Sequence, residues 1–381
     1  MSHRRRFLNM VIANDVGGMY CMRRVDLHAS DNSLFYLSAA EAVQKDPKKK
    51  KKMVSRIRAR GNATLFSGRC TEWVPLSERK MVYMDHRHSR GAAVLYNCED
   101  RSLDALPDIQ SSQASRVVPI LFYGAGAGDE GGDTVYVMDR SPKPAGDDDD
   151  DANNNKFQFQ ALVRRQEKDD GSNNNQWRRD ALPPPPYVHD GGYKSTCIDS
   201  HVLLGGDASR SDVLLCVSTE GIGTFSFDTA RRTWWKVGDW ALPFSGKIEH
   251  VLELGVLVGF WGSDEHGHRR LCDCSDQLVP SARPMLRSWI DLEPPCAEWV
   301  KLKAPQLISL GSSKFCVAEF FKTTTTVKKG TDEWFTLLTG VEVMGRRGHQ
   351  SDVGIRVIKH KSKRYVSTNS NNPSATVEFV L

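Results

Sequence analysis

Val202-Leu203-Leu204-Gly205-Gly206, followed by Phe225-Ser226-Phe227-Asp228, Trp234-Trp235 and Trp240-Ala241-Leu242-Pro243, is the stretch that decides the architecture. The first piece reads as an apolar strand that ends in glycine, where backbones can crowd together. The second alternates aromatic and small residues with period two and ends in Asp228, a residue type whose side chain closes turns. The third brings aromatics that can pack between neighbouring sheets. A sheet built from such strands has two apolar faces. It cannot shield itself alone and has to stack on neighbours at both sides.

Weaker copies of the unit surround this one. Ala93-Val94-Leu95-Tyr96-Asn97 leads to Leu103-Asp104-Ala105-Leu106-Pro107, and Thr134 to Asp139 leads to Phe157–Val163, Trp177 and Leu182-Pro183. Leu257 to Gly262 precedes Arg270 to Asp273, and Leu307 to Gly311 precedes Lys314 to Phe321, Trp334 to Val343 and Ile355 to Lys359. Near the start, 6–12 and 19–25 flank Asp15-Val16-Gly17-Gly18, a hairpin signal. The best helical stretch, around Ala39 to Gln44, is brief. The expected fold is all-β: a single β-propeller over 1–381, with about six four-stranded blades and a range of about five to seven. The hairpin at 6–25 is expected to join C-terminal strands and cover an open edge.

The copy at 202–243 resembles the kelch repeat, with Gly205-Gly206, an aromatic-x-aromatic-Asp ending at Asp228, and Trp235 seven residues later. Those four residues are the expected structural repeat positions. The phrase Ser218-Thr219-Glu220-Gly221-Ile222-Gly223-Thr224, with Arg356 to Tyr365, is similar to a large plant family of uncharacterised kelch-like β-propeller proteins. That family resembles the kelch domains of plant F-box proteins. The resemblance implies a β-propeller and implies no known chemistry. With no F-box-like helical segment ahead of the strands, no direct ubiquitin-ligase role is expected.

Composition narrows the class. Of 381 residues, 39% are hydrophobic and 26% charged, which excludes collagen, a coiled coil and a fully disordered chain. No apolar run approaches the roughly 18 residues of a membrane helix. The net charge of +5 is mild, so nucleic acid is not an expected partner. The apolar part at Phe7 to Ala13 is short and holds Asn9, unlike a signal peptide. Nine scattered cysteines suit a reducing, intracellular compartment, cytoplasmic or nuclear. Residues 46–60 read as a basic loop, and 141–156 and 166–176 as disordered low-complexity insertions that cannot bury apolar surface.

Candidate sites are few. His266, His268, Cys272 and Cys274 put four zinc-type ligands into nine residues, and positions two apart share a strand face. Neither pair has the usual zinc-ligand spacing, so a polar hairpin tip followed by a strand with inward cysteines is the plainer reading. Lys48, Lys49, Lys50, Lys51 and Lys52 resemble a nuclear import signal or a solvated insertion. Gly124 to Gly128 runs into acidic residues instead of a helix, which argues against a phosphate loop. No G-x-S-x-G nucleophile motif occurs, and no cofactor is expected. The leading function is a monomeric, non-enzymatic scaffold that presents propeller loops to a protein partner. The alternatives are an enzyme with a site over the central channel and a nuclear regulatory protein.

Overall fold

The computed structural model describes residues 5–14, 19–45, 65–67, 71–77, 79–85, 92–107, 109, 119–124, 133–145, 158–169, 172–205, 213–262, 270–286, 288–291, 298–323, 333–345, 355–366 and 376–380. β1 (Phe7–Asn14) and β2 (Met19–Asp26) form a hairpin; α1 (Ala39–Gln44) follows, and β3 (Leu65–Ser67) adds to β2. β4 (Thr71–Pro75), β5 (Lys80–Asp85), β6 (Ala92–Asn97) and β7 (Leu103–Leu106) make an antiparallel meander. β8 (Ile120–Gly124), β9 (Thr134–Met138), β10 (Phe159–Asp169) and β11 (Ser172–Ala181) make a second. β12 (Ser200–Leu204), β13 (Leu214–Thr219), β14 (Gly223–Asp228) and β15 (Thr233–Gly238) make a third, and β16 (Ser245–Val251) pairs in parallel with β12.

β17 (Val256–Trp261), β18 (Arg270–Ser275) and β19 (Ser288–Asp291) lie side by side in that order. β20 (Trp299–Lys301), β21 (Gln306–Ser309), β22 (Lys314–Thr323), β23 (Trp334–Gly345) and β24 (Ile355–Val366) form one sheet centred on β22 and β23. β25 (Thr376–Val380) pairs with β1. The described residues are all-β apart from α1 and short 3-10 turns, as the alternation predicts. The chain groups into two compact units: Met1–Arg69, Val258–Cys274 and Leu286–Leu381, and Cys70–Leu257 with Ser275–Met285. The first is discontinuous because strands from the beginning and the end of the sequence meet in it.

In the unit built around Cys70–Leu257, the second meander shows why such sheets stack. Ile120, Phe122, Met138, Phe159 and Ala161 face a core shared with Leu215, Val217, Phe225 and Phe227 of the third meander. Leu121, Val135, Val137 and Leu162, one position out of phase, face a core shared with Val82, Met84, Ala93 and Leu95 of the first. Period two thus divides each strand between two cores. Phe159 is fully buried, its ring 4.8 Å from Phe227 and 5.6 Å from Trp234. Such a phenylalanine contributes about 3–5 kcal/mol to stability. Residues 166–169 and 172–176, expected within a disordered insertion, pair across β10 and β11, whose register runs out to Asp169↔Ser172. Backbone pairing extends a hairpin without any apolar pattern, which is why composition does not reveal it.

The phrase 218–224 closes the third meander. The Ser218 hydroxyl accepts from the Leu242 amide at 2.7 Å, and the Thr224 hydroxyl donates to the Trp240 carbonyl at 2.7 Å. Gly223 between them has φ +117°, and a Cβ there would meet the Gly238 carbonyl oxygen at 2.5 Å. Only glycine fits.

In the other unit, Leu8, Met10, Ile12 and Val25 of the N-terminal hairpin share a core with Cys316, Ala318, Phe320 and Leu338. The strap from Leu27 to Lys45 lies over this sheet and contributes Leu34 and Phe35 to the core. The Leu34 carbonyl accepts from the Lys361 amide at 3.0 Å. It can come that close because position 340 is glycine: a Cβ there would lie 2.4 Å from that same oxygen. The Tyr36 amide donates to Nδ1 of His360 at 3.3 Å, so the ring proton sits on Nε2, which donates to Glu342 at 2.9 Å. The strap is thereby fastened to β24 along its length.

Candidate functional site

Between the first and second meanders lies a cleft of about 280 Å³, lined by Lys80, Leu95, Asn97, Asp100, Ser102, Asp104 and Arg164. Its floor is the edge of the core that holds Leu95 and Leu121. The turn after β6 is shaped by its own side chains: Asn97 Oδ1 accepts from the Glu99 amide at 3.0 Å, and Asp100 Oδ1 from the Ser102 amide at 2.9 Å. These are local Asx turns, and they aim Asp100 and Ser102 at the cleft.

Lys80 starts β5, Tyr123 is near the end of β8, Asp133 precedes β9, and Arg164 is on β10. The chain brings them together. Lys80 Nζ donates to the Tyr123 hydroxyl at 2.9 Å and to the Asp133 carboxylate, and the Tyr123 hydroxyl donates to the same carboxylate. Arg164 lies 3.4 Å from Asp104 and 4.0 Å from Asp133. Desolvation acts most strongly on Lys80 and lowers its pKa, but the bonds to Asp133 and Tyr123 outweigh it and leave the ammonium raised. For Asp133 desolvation raises the carboxyl, and the bonds from Lys80 and Tyr123 reverse that to a net lowering. Burial, then Asp133, raises Tyr123. All three move away from neutrality. A general acid or base needs a pKa near the working pH. This arrangement holds fixed charges and ties two sheets together.

Groups that move differently lie elsewhere. Glu319 on β22 is pushed up to about 7 by burial, with Lys301 at 3.8 Å giving partial relief. His201 on β12 is driven down to about 3 by burial and then by the charges of Arg140 and Lys247, so it stays neutral. Burial pushes the thiols of Cys216 and Cys316 up to about 12, which makes them poor nucleophiles.

The residues singled out from the sequence fall as follows. Cys272 and Cys274 are both fully buried on β18, while His266 and His268 lie outside the described residues. Among the described residues no group of three or more His, Cys, Asp or Glu could hold a metal ion. Lys48 to Lys52, Gly206 and the aspartate run at 147–151 are also outside. Gly205 follows β12 with φ +86°. Asp228 accepts from the amides of Ala230 and Arg231 at 2.9 and 2.8 Å. Trp235 is 41% exposed, and its neighbour Trp234 packs between the sheets and donates to the Pro183 carbonyl at 2.7 Å. Successive strand residues face opposite ways, so only one of the two tryptophans can be inside.

Sequence reasoning missed the Lys80–Tyr123–Asp133 cluster and the strap's fastening to His360. No local signal marks either, since each joins residues far apart in the chain. Among the described residues no helix is long and apolar enough to cross a membrane.

No curated protein matches the sequence. Among solved structures, an alignment to TolB from Acinetobacter baumannii covers 94% of this chain at 10% identity and a TM-score of 0.35; the chain spans 66% of that protein, just under two thirds. Polysaccharide lyase Uly1 aligns over 93% of this chain and 89% of its own, at 9% identity and a TM-score of 0.31. The β-propeller domain of Cps50 (Swd1) from Myceliophteria thermophila aligns over 77% and 99%, at 11% identity and a TM-score of 0.26. These likenesses are loose, and the all-β architecture stands on the strands described above. The family match is extensive: residues 5–365 fit a family described as a protein of unknown function, and the chain belongs to that family, DUF1668.

Proposed function

We propose that the protein is a non-enzymatic scaffold that presents loops of its stacked sheets to a protein partner, as a monomer inside the cell. The closed, six-bladed kelch-like ring expected from the sequence belongs to the same proposal. One observation carries the reading. Beside the cleft, Lys80, which lines it, is bonded to Tyr123 and Asp133, and all three are displaced away from neutral pKa values. Fixed, mutually satisfied charges suit a structural tie and a polar rim, not proton transfer.

The test pairs partner capture with a cleft variant. The tagged full chain is purified from its native tissue, and co-purifying chains are identified and quantified. The scaffold reading expects a stoichiometric partner that Lys80→Met/Asp133→Asn retains at a temperature where the variant is folded. A chain that stays alone, or turns over a small molecule and loses that turnover in the double variant, overturns it.

A further inference from the structure

We infer that the strap of the discontinuous unit is a docking face for an acidic, amphipathic protein segment: Leu37 and Val43 meet its apolar side chains, while Lys45 and Lys361, beside Tyr36, meet its carboxylates. This rests on the scaffold reading and names the face it uses.

A single exposed leucine means little. Leu37 differs in being fully exposed, at 102%, on a backbone fixed by hydrogen bonds. Its amide donates to Glu41 Oε2 at 3.1 Å, the Ser38 hydroxyl caps α1 by accepting from the Glu41 amide at 3.2 Å, and Lys45 holds the other Glu41 oxygen at 2.6 Å. Tyr36 beside it is fixed through its amide to His360. A backbone held this way loses little further freedom on binding. Leu37, Ala40 and Val43 recur every three residues and are all exposed, whereas Ala42 turns inward and is buried. An apolar stripe thus lies exposed beside Gln44 and Lys45.

Charge selects the partner. The ammonium groups of Lys45 and Lys361 lie 5.2 and 4.9 Å from the centre of the Tyr36 ring. Glu41 is engaged by Lys45, and among the described residues no ion pair reaches Lys361. The strand beneath carries Lys361 and, two residues on, the buried Lys363, while Arg364 is paired with Glu333. Burial first, and then repulsion from Lys361, lower the pKa of Lys363. A carboxylate brought to this rim relieves that repulsion, and a cationic partner adds to it. The aliphatic knob favours a protein segment over nucleic acid, whose bases stack on exposed rings instead.

The full chain is titrated by fluorescence anisotropy with a synthetic helical peptide that alternates leucine pairs with glutamates, with its lysine counterpart, and with a polythymidine oligonucleotide. The acidic peptide is expected to bind, the lysine peptide not. Leu37→Ser and Lys361→Glu should each weaken the acidic peptide at least tenfold with melting temperatures unchanged, and Lys361→Glu should gain affinity for the lysine peptide. Equal binding of the acidic peptide to wild type and both variants, no binding to wild type, or a preference for the oligonucleotide through the same residues overturns the assignment. Partner capture separates the two readings. A stoichiometric partner kept by the Leu37→Ser/Lys361→Glu variant sinks the docking face and leaves the scaffold standing.

Discussion

Two lysine–tyrosine pairs in this molecule look alike and behave differently. Lys80 lies 5.2 Å from the centre of the Tyr123 ring, and Lys361 lies 4.9 Å from that of Tyr36. The first pair shares the Asp133 carboxylate and is about four-fifths buried at both charged ends. The second has an exposed leucine beside it, and the Glu41 close by is already engaged by Lys45. The carboxylates teach the same lesson. Asp133 receives bonds from Lys80 and Tyr123 and is lowered, whereas Glu319, with Lys301 at 3.8 Å, is raised to about 7. Glu319 is the more deeply buried and has fewer close donors, and both differences push its carboxyl up where that of Asp133 is held down.

The largest expected effect is at Glu319. Its folded pKa of about 7 exceeds the ordinary 4.5, so its contribution is full below pH 4.5 and is lost as pH rises through 7. The shift corresponds to about 3 kcal/mol. Glu319→Gln should match wild type near pH 4.5 and exceed it by up to about 3 kcal/mol at pH 8 in urea unfolding. A constant difference across that range would remove the contrast with Asp133.

Next comes Asp133→Asn, which strands the Lys80 ammonium and should cost about 2 kcal/mol at pH 7, below the fully buried limit because both groups keep some water contact. Asp133 is lowered, so its contribution is present above the ordinary carboxylate pKa and fades as pH falls through the folded value. The variant's deficit should therefore shrink in acid. His360→Gln should cost about 1 kcal/mol and speed hydrogen exchange at the Tyr36 amide. Burial lowers His360 from 6.5 against the opposing pull of Glu342, so the neutral ring's contribution is complete above pH 6.5 and declines as acid protonates it. The smallest effect belongs to Leu37→Ser, within about 0.5 kcal/mol in thermal unfolding, since the side chain leaves no core behind.

What could be read from the sequence was local. The alternation in Phe225-Ser226-Phe227-Asp228 gives β14 and its turn because a strand and an Asx turn are decided within a few residues. The turn signal in the sequence Asp15 to Gly18 separates β1 from β2, which pair with each other, for the same reason. The repeat spacing points to Trp235, yet Trp234 does the packing: adjacent aromatics carry no phase of their own. The polar outer half of the β10–β11 hairpin has no apolar pattern to read. Both candidate sites depend on distant pairs, Tyr36 with His360 and Lys80 with Asp133, separated by 324 and 53 residues. No spacing rule reaches that far.

The pairing of β1 with β25, from Met10↔Val380 to Ala13↔Thr376, has a consequence for biosynthesis. At roughly 5–20 residues per second, the ribosome takes about 20–70 s to make the later strand after the earlier one. Throughout that interval β1 offers a bare row of amides and carbonyls to any other nascent chain. Chaperone dependence during translation, and clumping of molecules shortened before Thr376, follow from that delay.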